Sequence, residues 1–158
     1  KGNVDQMPSN AIKDPNNLLM QQADGTFQEM GQSAGLASTE RGRGAALVDF
    51  DGDGRLDVLV LNRRAPLQIY RNETPDAGHW LAVSLMQPGG NRHAIGASVT
   101  VNGDMQRAII GGGHAGGQAS PLHFGLGDAT QAEITVEWPS GQITHHTATA
   151  DQIVTLSP

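Results

Sequence analysis

Residues 44–62 read GAALVDFDGDGRLDVLVLN, with an apolar run on each side of a strongly acidic turn. The turn, residues 49–57, has aspartates at its positions 1, 3, 5 and 9 and a glycine at position 6. Short apolar runs bounded by turn residues are typical of buried strands. The stretch therefore predicts a β-hairpin whose connecting loop carries a concentrated negative charge.

The acidic loop predicts a cation site. Two unit charges about 4 Å apart repel by about 1 kcal/mol in water and by about 4 kcal/mol at an effective dielectric of about 20. Such a loop favours a hard cation that prefers oxygen ligands, above all Ca²⁺. In a loop of the form Asp-x-Asp-x-Asp-Gly-x-x-Asp that joins two strands, the ligands are the carboxylates of Asp49, Asp51, Asp53 and Asp57 and the backbone carbonyl of Arg55. Gly54 permits the sharp turn.

The acidic loop has two alternative interpretations besides a strand-flanked calcium loop. An EF-hand needs a bidentate Glu at position 12 and helices on both sides. Position 12 is Val60 and both flanks favour strands, so the EF-hand is disfavoured. The other alternative is a solvated acidic turn without an ion. In a strand hairpin, we expect the ion to stabilise a rigid scaffold and the aspartates to matter mainly through stability.

Composition excludes several classes of function. The chain has 158 residues, 21 glycines, no cysteine and a net charge of −6. This charge disfavours nucleic-acid binding through phosphates, and the lack of cysteine removes disulfides and thiolate zinc sites. No apolar stretch reaches the length of about 18 residues that a membrane helix needs. The chain begins at Lys1 without a visible signal peptide, so we expect a processed or partial chain whose start lies upstream.

The pattern along the chain is β throughout and shows no convincing amphipathic helix. Residues 1–16 read as an extended arm or linker, and the break at residues 74–78 separates a unit at 17–76 from one at 77–158. The later strands, at regular short spacing, predict an antiparallel sandwich or barrel. The predicted strands are 17–21, 27–30, 45–48, 58–61, 67–72, 79–86, 97–101, 106–111, 121–124, 133–138, 143–147 and 153–156.

Two resemblances cover most of the chain. Residues 44–62 resemble the FG-GAP (VCBS-type) repeat of integrin-like β-propellers, and residues 67–73 resemble the strand that follows it. The upstream pieces resemble the segment between neighbouring repeats; they are residues 17–19, 24–27 and 34–36. Four later segments resemble the ASPIC/UnbV domain, which usually follows such a propeller in cartilage-acidic-protein-like secreted proteins; they are residues 80–83, 91–97, 122–127 and 136–141. The resemblance implies a partial propeller blade with a calcium-binding hairpin loop, followed by an antiparallel β-sandwich.

The chain departs from the ASPIC/UnbV pattern in the glycine-rich segment 111–120, where the family often has an aromatic residue and a Ser-Gln pair. This segment lacks the ending of a phosphate-binding loop and favours a flexible or tightly turning connection. A surface that approaches a ligand, such as a glycan, is the alternative.

A few other residues are candidates for ligand contact. Trp80 and Trp138 either form a sugar-stacking surface or pack in the core, which their positions at strand ends favour. The six histidines are surface or core residues by default, with a zinc site as the alternative. Asn72 opens a glycosylation sequon, which matters only in a eukaryotic source. No catalytic constellation is present; Ser140 lies in a turn and not in a nucleophile elbow.

These observations predict a non-enzymatic, calcium-stabilised module that is secreted, periplasmic or on the cell surface and acts in adhesion, matrix or surface assembly. Its expected partner is a protein, or a second copy recruited through open strand edges, with a glycan as a further candidate. One alternative is an accessory subunit of a filament or membrane-associated complex. The other is a carbohydrate-binding module.

Overall fold

The computed structural model describes residues 14–111 and 121–158, and these residues form strands and turns without a helix. The all-β prediction is confirmed, and each predicted strand has an observed counterpart with somewhat shifted ends. The strands are β1 (Leu19–Gln21), β2 (Phe27–Glu29), β3 (Gly42–Val48), β4 (Asp57–Asn62), β5 (Gln68–Tyr70), β6 (His79–Leu85), β7 (Ser98–Val101), β8 (Asp104–Arg107), β9 (Leu122–Gly127), β10 (Gln131–Glu137), β11 (Ile143–Thr149) and β12 (Gln152–Leu156). The predicted arm lies mostly outside the described residues, as do residues 112–120 of the glycine-rich segment.

The first five strands form two small sheets. β1 and β2 make a hairpin whose turn is fixed by Asp24. The hydroxyl of Thr26, and then its backbone N–H, donate to this carboxylate and hold the pKa of Asp24 below its ordinary value. β3, β4 and β5 form an antiparallel sheet in which the β3–β4 pairing runs out to Val48 opposite Asp57. Residues 49–56 connect these strands, so the acidic loop caps the predicted hairpin.

Seven further strands form two sheets around one core. One sheet has the order β11-β10-β7-β8 and the other the order β12-β6-β9. Both sheets contribute to the largest buried cluster, because alternate residues of each strand face inward. Its fully buried large side chains are Trp138, Leu81, Ile134, Val83, Val99, Val101 and Val136.

One strand pair differs from the antiparallel prediction. β12 runs parallel to β6, from Gln152 opposite Leu81 to Leu156 opposite Leu85. The chain turns at Ala150 and Asp151 after β11, and Asp151 then fixes the start of β12 by donating its N–H to the Trp80 carbonyl at 2.7 Å. Because this turn carries the chain from one sheet to the other, local sequence patterns do not reveal the strand's direction.

The strand predicted at residues 106–111 ends earlier than expected. β8 spans Asp104–Arg107, and Ala108 continues the pairing through hydrogen bonds with Gly96 and Ala97. Ile109 and Ile110 lie beyond the strand and are largely exposed. The apolar run therefore predicted the strand but placed it too late in the chain.

Trp138 lies in the core with 2% of its surface exposed. Its indole N–H donates to the hydroxyl oxygen of Thr144 at 2.9 Å, so the polar end of the ring has a partner. A ring this buried cannot stack on a sugar. Trp138 packs in the core, as its position at a strand end favours.

We predict that Thr144→Val destabilises the protein by about 1–3 kcal/mol, because the Trp138 N–H loses its acceptor inside the core and His146 Nε2 loses its contact with the same hydroxyl. Urea unfolding measures the change. Thr147→Val is the matched control, since Thr147 lies on the exposed side of the same strand. Equal losses in the two variants would contradict the role assigned to this hydrogen bond.

Candidate metal centre

The register of β3 and β4 brings the two ends of the acidic loop together. Val48 is paired with Asp57, so Asp49 leaves β3 beside the first residue of β4. One carboxylate oxygen from each of Asp49, Asp51 and Asp57 lies within 4.8 Å of the other two. Three of the four carboxylates predicted as ligands are therefore grouped at one site.

Asp49 organises the backbone of the loop. Its Oδ1 accepts hydrogen bonds from the N–H groups of Gly52 at 2.8 Å and Asp53 at 3.2 Å. Its Oδ2 accepts one from the N–H of Gly54 at 2.9 Å. Both glycines have positive φ angles, +75° and +86°, in the left-handed region that favours glycine. The Asp49 carboxylate thus fixes the backbone of the loop through three hydrogen bonds.

Asp57 is the buried member of the group, with 3% of its surface exposed. Its Oδ2 accepts from the Phe50 N–H at 3.1 Å, and its Oδ1 accepts from the Asn72 N–H at 2.8 Å. Within residues 14–111 and 121–158, no ion pair reaches Asp49 or Asp57. Since buried carboxylates without a counter-charge are unfavourable, a bound cation would stabilise this part of the loop.

Asp51 and Asp53 instead have arginine partners. Arg71 Nη2 lies 2.7 Å from Asp51 Oδ2 and 3.7 Å from Asp53 Oδ2. Asp53 also forms an ion pair with Arg55, whose backbone N–H donates to Asp53 Oδ1 at 2.9 Å. That N–H, followed by the charges of Arg55 and Arg71, holds the pKa of Asp53 below its ordinary value, although partial burial opposes the effect. Asp53 is thus paired with two arginines, one of which, Arg71, also contacts Asp51.

The grouped donors fit a hard divalent cation. Ca²⁺ takes six to eight oxygen ligands at about 2.3–2.6 Å, with carboxylates in mono- or bidentate form. The oxygens of Asp49, Asp51 and Asp57 could supply part of such a shell. All five ligand roles stay predictions. The Arg55 side chain donates from Nε to the Asn72 carbonyl at 2.8 Å.

The acidic loop contacts the later strands through Gly54. A Cβ atom on Gly54 would overlap the Trp80 ring, so the backbone packs directly on the indole. This ring stacks on the His123 imidazole with centroids 5.7 Å apart and planes 5° from parallel. His123 Nε2 lies 2.8 Å from the Gly54 carbonyl oxygen, and because that oxygen only accepts, Nε2 carries the hydrogen. We call Gly54, Trp80 and His123 the clasp.

Family models match both parts of the chain. Residues 9–60 match the model described as FG-GAP-like repeat, and residues 87–158 match the one described as ASPIC and UnbV. The chain carries an FG-GAP-like repeat followed by an ASPIC and UnbV domain. The resemblance stated from the sequence is therefore confirmed. The clasp joins the two matched segments, with Gly54 in the first and His123 in the second, while Trp80 lies between the two matches.

Curated relatives carry one name in three vertebrates. Cartilage acidic protein 1 of Mus musculus is 28% identical over 144 residues, which are 86% of this chain and 22% of the relative. The Xenopus tropicalis protein is 32% identical over 129 residues, covering 77% and 20%, and the Homo sapiens protein is 30% identical over 134 residues, covering 80% and 20%. The chain thus spans about a fifth of the length of these relatives. Across the described residues, no helix is long and apolar enough to cross a membrane.

Sequence reasoning found the aspartates but missed the residues that hold them. Arg71 pairs with Asp51, and Asn72 connects the end of β5 to Asp57. His123 lies in a segment that resembles the ASPIC and UnbV domain, yet no spacing rule links it to Gly54, 69 positions earlier. The sequence contains one indication of this contact: the segments that resemble the two families include Gly54, Trp80 and His123.

We predict that Gly54→Ala destabilises the chain more than Gly52→Ala when both are unfolded in urea with chelator present. Alanine at Gly52 has open space and incurs only the positive-φ penalty of about 1–2 kcal/mol. Alanine at Gly54 incurs a similar penalty and also displaces the Trp80 ring, which adds about 1–3 kcal/mol. Similar losses in both variants would refute the packing of Gly54 on Trp80.

Proposed function

We propose that the acidic loop of the FG-GAP-like repeat binds one Ca²⁺ ion. The observation that carries this proposal is the grouping of the Asp49, Asp51 and Asp57 carboxylates within 4.8 Å, two of them without an arginine partner. Asp53 and the Arg55 carbonyl complete the proposed ligand set. Asp53 joins the shell only if its oxygens turn away from the two guanidinium groups, so the ion and the arginines compete for it.

The ion's proposed role is structural. The loop is fixed at both ends by an antiparallel pair, and backbone N–H groups already hold Asp49 and Asp57 in place. A cation would neutralise the repulsion that remains between the carboxylates. It would not move a helix pair, whereas the ion of an EF-hand sensor does. Extracellular calcium modules commonly bind with dissociation constants of about 10⁻⁴–10⁻³ M, and we place this site in that class.

The whole chain is proposed to act as a non-enzymatic binding or structural module outside the cytoplasm, in matrix, adhesion or surface assembly. Support comes from the repeat and domain types and from relatives named cartilage acidic protein. This chain is itself acidic, with a net charge of −6. The proposed division is an arm at residues 1–16, the repeat at 17–76 and the ASPIC and UnbV domain at 77–158.

Isothermal titration and thermal melting with Ca²⁺ or chelator test the metal proposal. We expect one ion per chain, and at a free concentration of about 100 times the dissociation constant the ion should add about 2.7 kcal/mol of stability. Asp51→Asn should weaken binding without disturbing the loop, because the Asp51 side chain pairs with Arg71 and holds no backbone group of the loop. Asp128→Asn, on the exposed surface near the end of β9, is the control.

Arg71→Gln should act in the opposite direction to Asp51→Asn. Removing the competing cation tightens calcium binding and lowers stability in chelator, since the Asp51 charge then has no partner. No heat of binding, together with identical melting in calcium and chelator, would eliminate the metal site.

One specific observation favours a protein partner for the repeat. Leu61 and Ile69 are 46% and 58% exposed, and their register with Leu59 and Ala46 places all four on one face of the β3–β4–β5 sheet. An apolar sheet face of this kind normally packs against another apolar surface. We propose that this face packs on neighbouring repeats of the longer protein, as in a propeller, or on a partner that completes the sheets.

We expect the chain alone to associate as its concentration rises, and light scattering after size exclusion measures this. Leu61→Lys and Ile69→Lys should reduce association because they charge the apolar face. Ile143→Lys, at a comparably exposed isoleucine of the ASPIC and UnbV domain, should not. A monomer at every concentration would argue against association through this face and against the accessory-subunit alternative.

A further inference from the structure

The clasp fixes one peptide group of the acidic loop from two sides. The Gly54 carbonyl accepts from His123 Nε2 at 2.8 Å, and the N–H of the same peptide, that of Arg55, donates to Asp53 Oδ1 at 2.9 Å. A continuous path therefore runs from β9, through this peptide, to a predicted ligand. Rotation of the peptide would break both hydrogen bonds.

The Trp80 ring supports the same point of the loop sterically. It lies against Gly54 where any side chain would collide, and it is parallel to the His123 ring. Trp80 is itself fixed in β6 between two paired strands, with Leu81 beside it in the core. The loop thus rests on a rigid surface built by the ASPIC and UnbV domain.

We propose that Trp80 and His123 are positioning residues for the calcium site, so that ion binding in the repeat and folding of the ASPIC and UnbV domain stabilise each other. This inference rests on the proposed calcium binding. The proposed role of the two residues is to hold the Gly54–Arg55 peptide, whose N–H binds Asp53 Oδ1 and which directly precedes the Arg55 carbonyl. The effect is reciprocal by thermodynamic linkage. An ion that stabilises the loop in contact with Trp80 and His123 also stabilises the fold that holds these two residues in place.

The expected size follows from one neutral hydrogen bond. Such a bond contributes about 0.5–1.5 kcal/mol net. At about 1.4 kcal/mol per factor of ten, its loss should weaken calcium binding by up to about twelve-fold, because only the part of the bond that depends on the ion contributes to the affinity. A larger change is expected where the indole is also removed.

Two substitutions at one position separate the ring from the donor. His123→Phe keeps an aromatic ring on Trp80 and loses the N–H, whereas His123→Gln keeps a donor near the position of Nε2 and loses the ring. Calcium titration should show weakened binding for His123→Phe and near-unchanged binding for His123→Gln. Melting in chelator shows that each variant is folded before the comparison is made.

Tryptophan fluorescence gives a readout that a purely structural role would not move. The chain has two tryptophans, Trp80 in the clasp and Trp138 in the core. We expect calcium to change the emission of the full chain, and Trp80→Phe to abolish that change. Thr144→Val is the matched control, because it alters the ASPIC and UnbV core without contact to the loop. As long as melting in chelator shows this variant to be folded, its calcium affinity should be unaltered.

The outcomes separate this inference from the proposed calcium binding. If the unaltered chain binds no calcium, both fall. If it binds calcium but His123→Phe binds equally well and Trp80 emission is insensitive to the ion, the inference alone is overturned. It is also overturned if Thr144→Val, still folded in chelator, weakens calcium binding as much as His123→Phe, since the effect would then not depend on the clasp.

Discussion

Repulsion among four carboxylates in one nine-residue turn is the constraint that shapes the rest of this structure. Backbone N–H groups surround Asp49 and Asp57, and two arginines approach Asp51 and Asp53. These contacts offset part of the charge and leave a grouped set of oxygens at the centre. The strands around the loop are arranged so that they bring these N–H groups and arginines to it.

The residues that build the loop and hold it in place come from three different parts of the chain. Asp49 and Asp57 are placed by the β3–β4 pair, and Arg71 and Asn72 follow directly from β5. His123 reaches the loop from β9, in the other half of the molecule. The acidic loop is therefore a junction between the FG-GAP-like repeat and the ASPIC and UnbV domain as well as a candidate ion site.

Local features were predictable from the sequence because their causes are local. The β3–β4 hairpin follows from two apolar runs and the glycines of the turn, and the grouping of three aspartates follows from the hairpin. The pairing of Arg71 with Asp51 and Asp53 was not predictable, because Arg71 lies in another strand connection, 18 residues after Asp53. The parallel direction of β12 and the contact between His123 and Gly54 were hidden for the same reason: each joins residues about 70 positions apart.

The position of β6 in its sheet has a consequence for how the chain folds. Its two neighbours, β9 and β12, both come later in the sequence, and β12 pairs with it across 71 residues. Non-local pairings of this kind close slowly because a long loop must be ordered first. During synthesis β6 therefore emerges with two open edges and an apolar face, and it stays unpaired on one side until Leu156 has left the ribosome. β6, the most buried strand of the domain, is thus the strand whose edges stay open longest to non-native pairing.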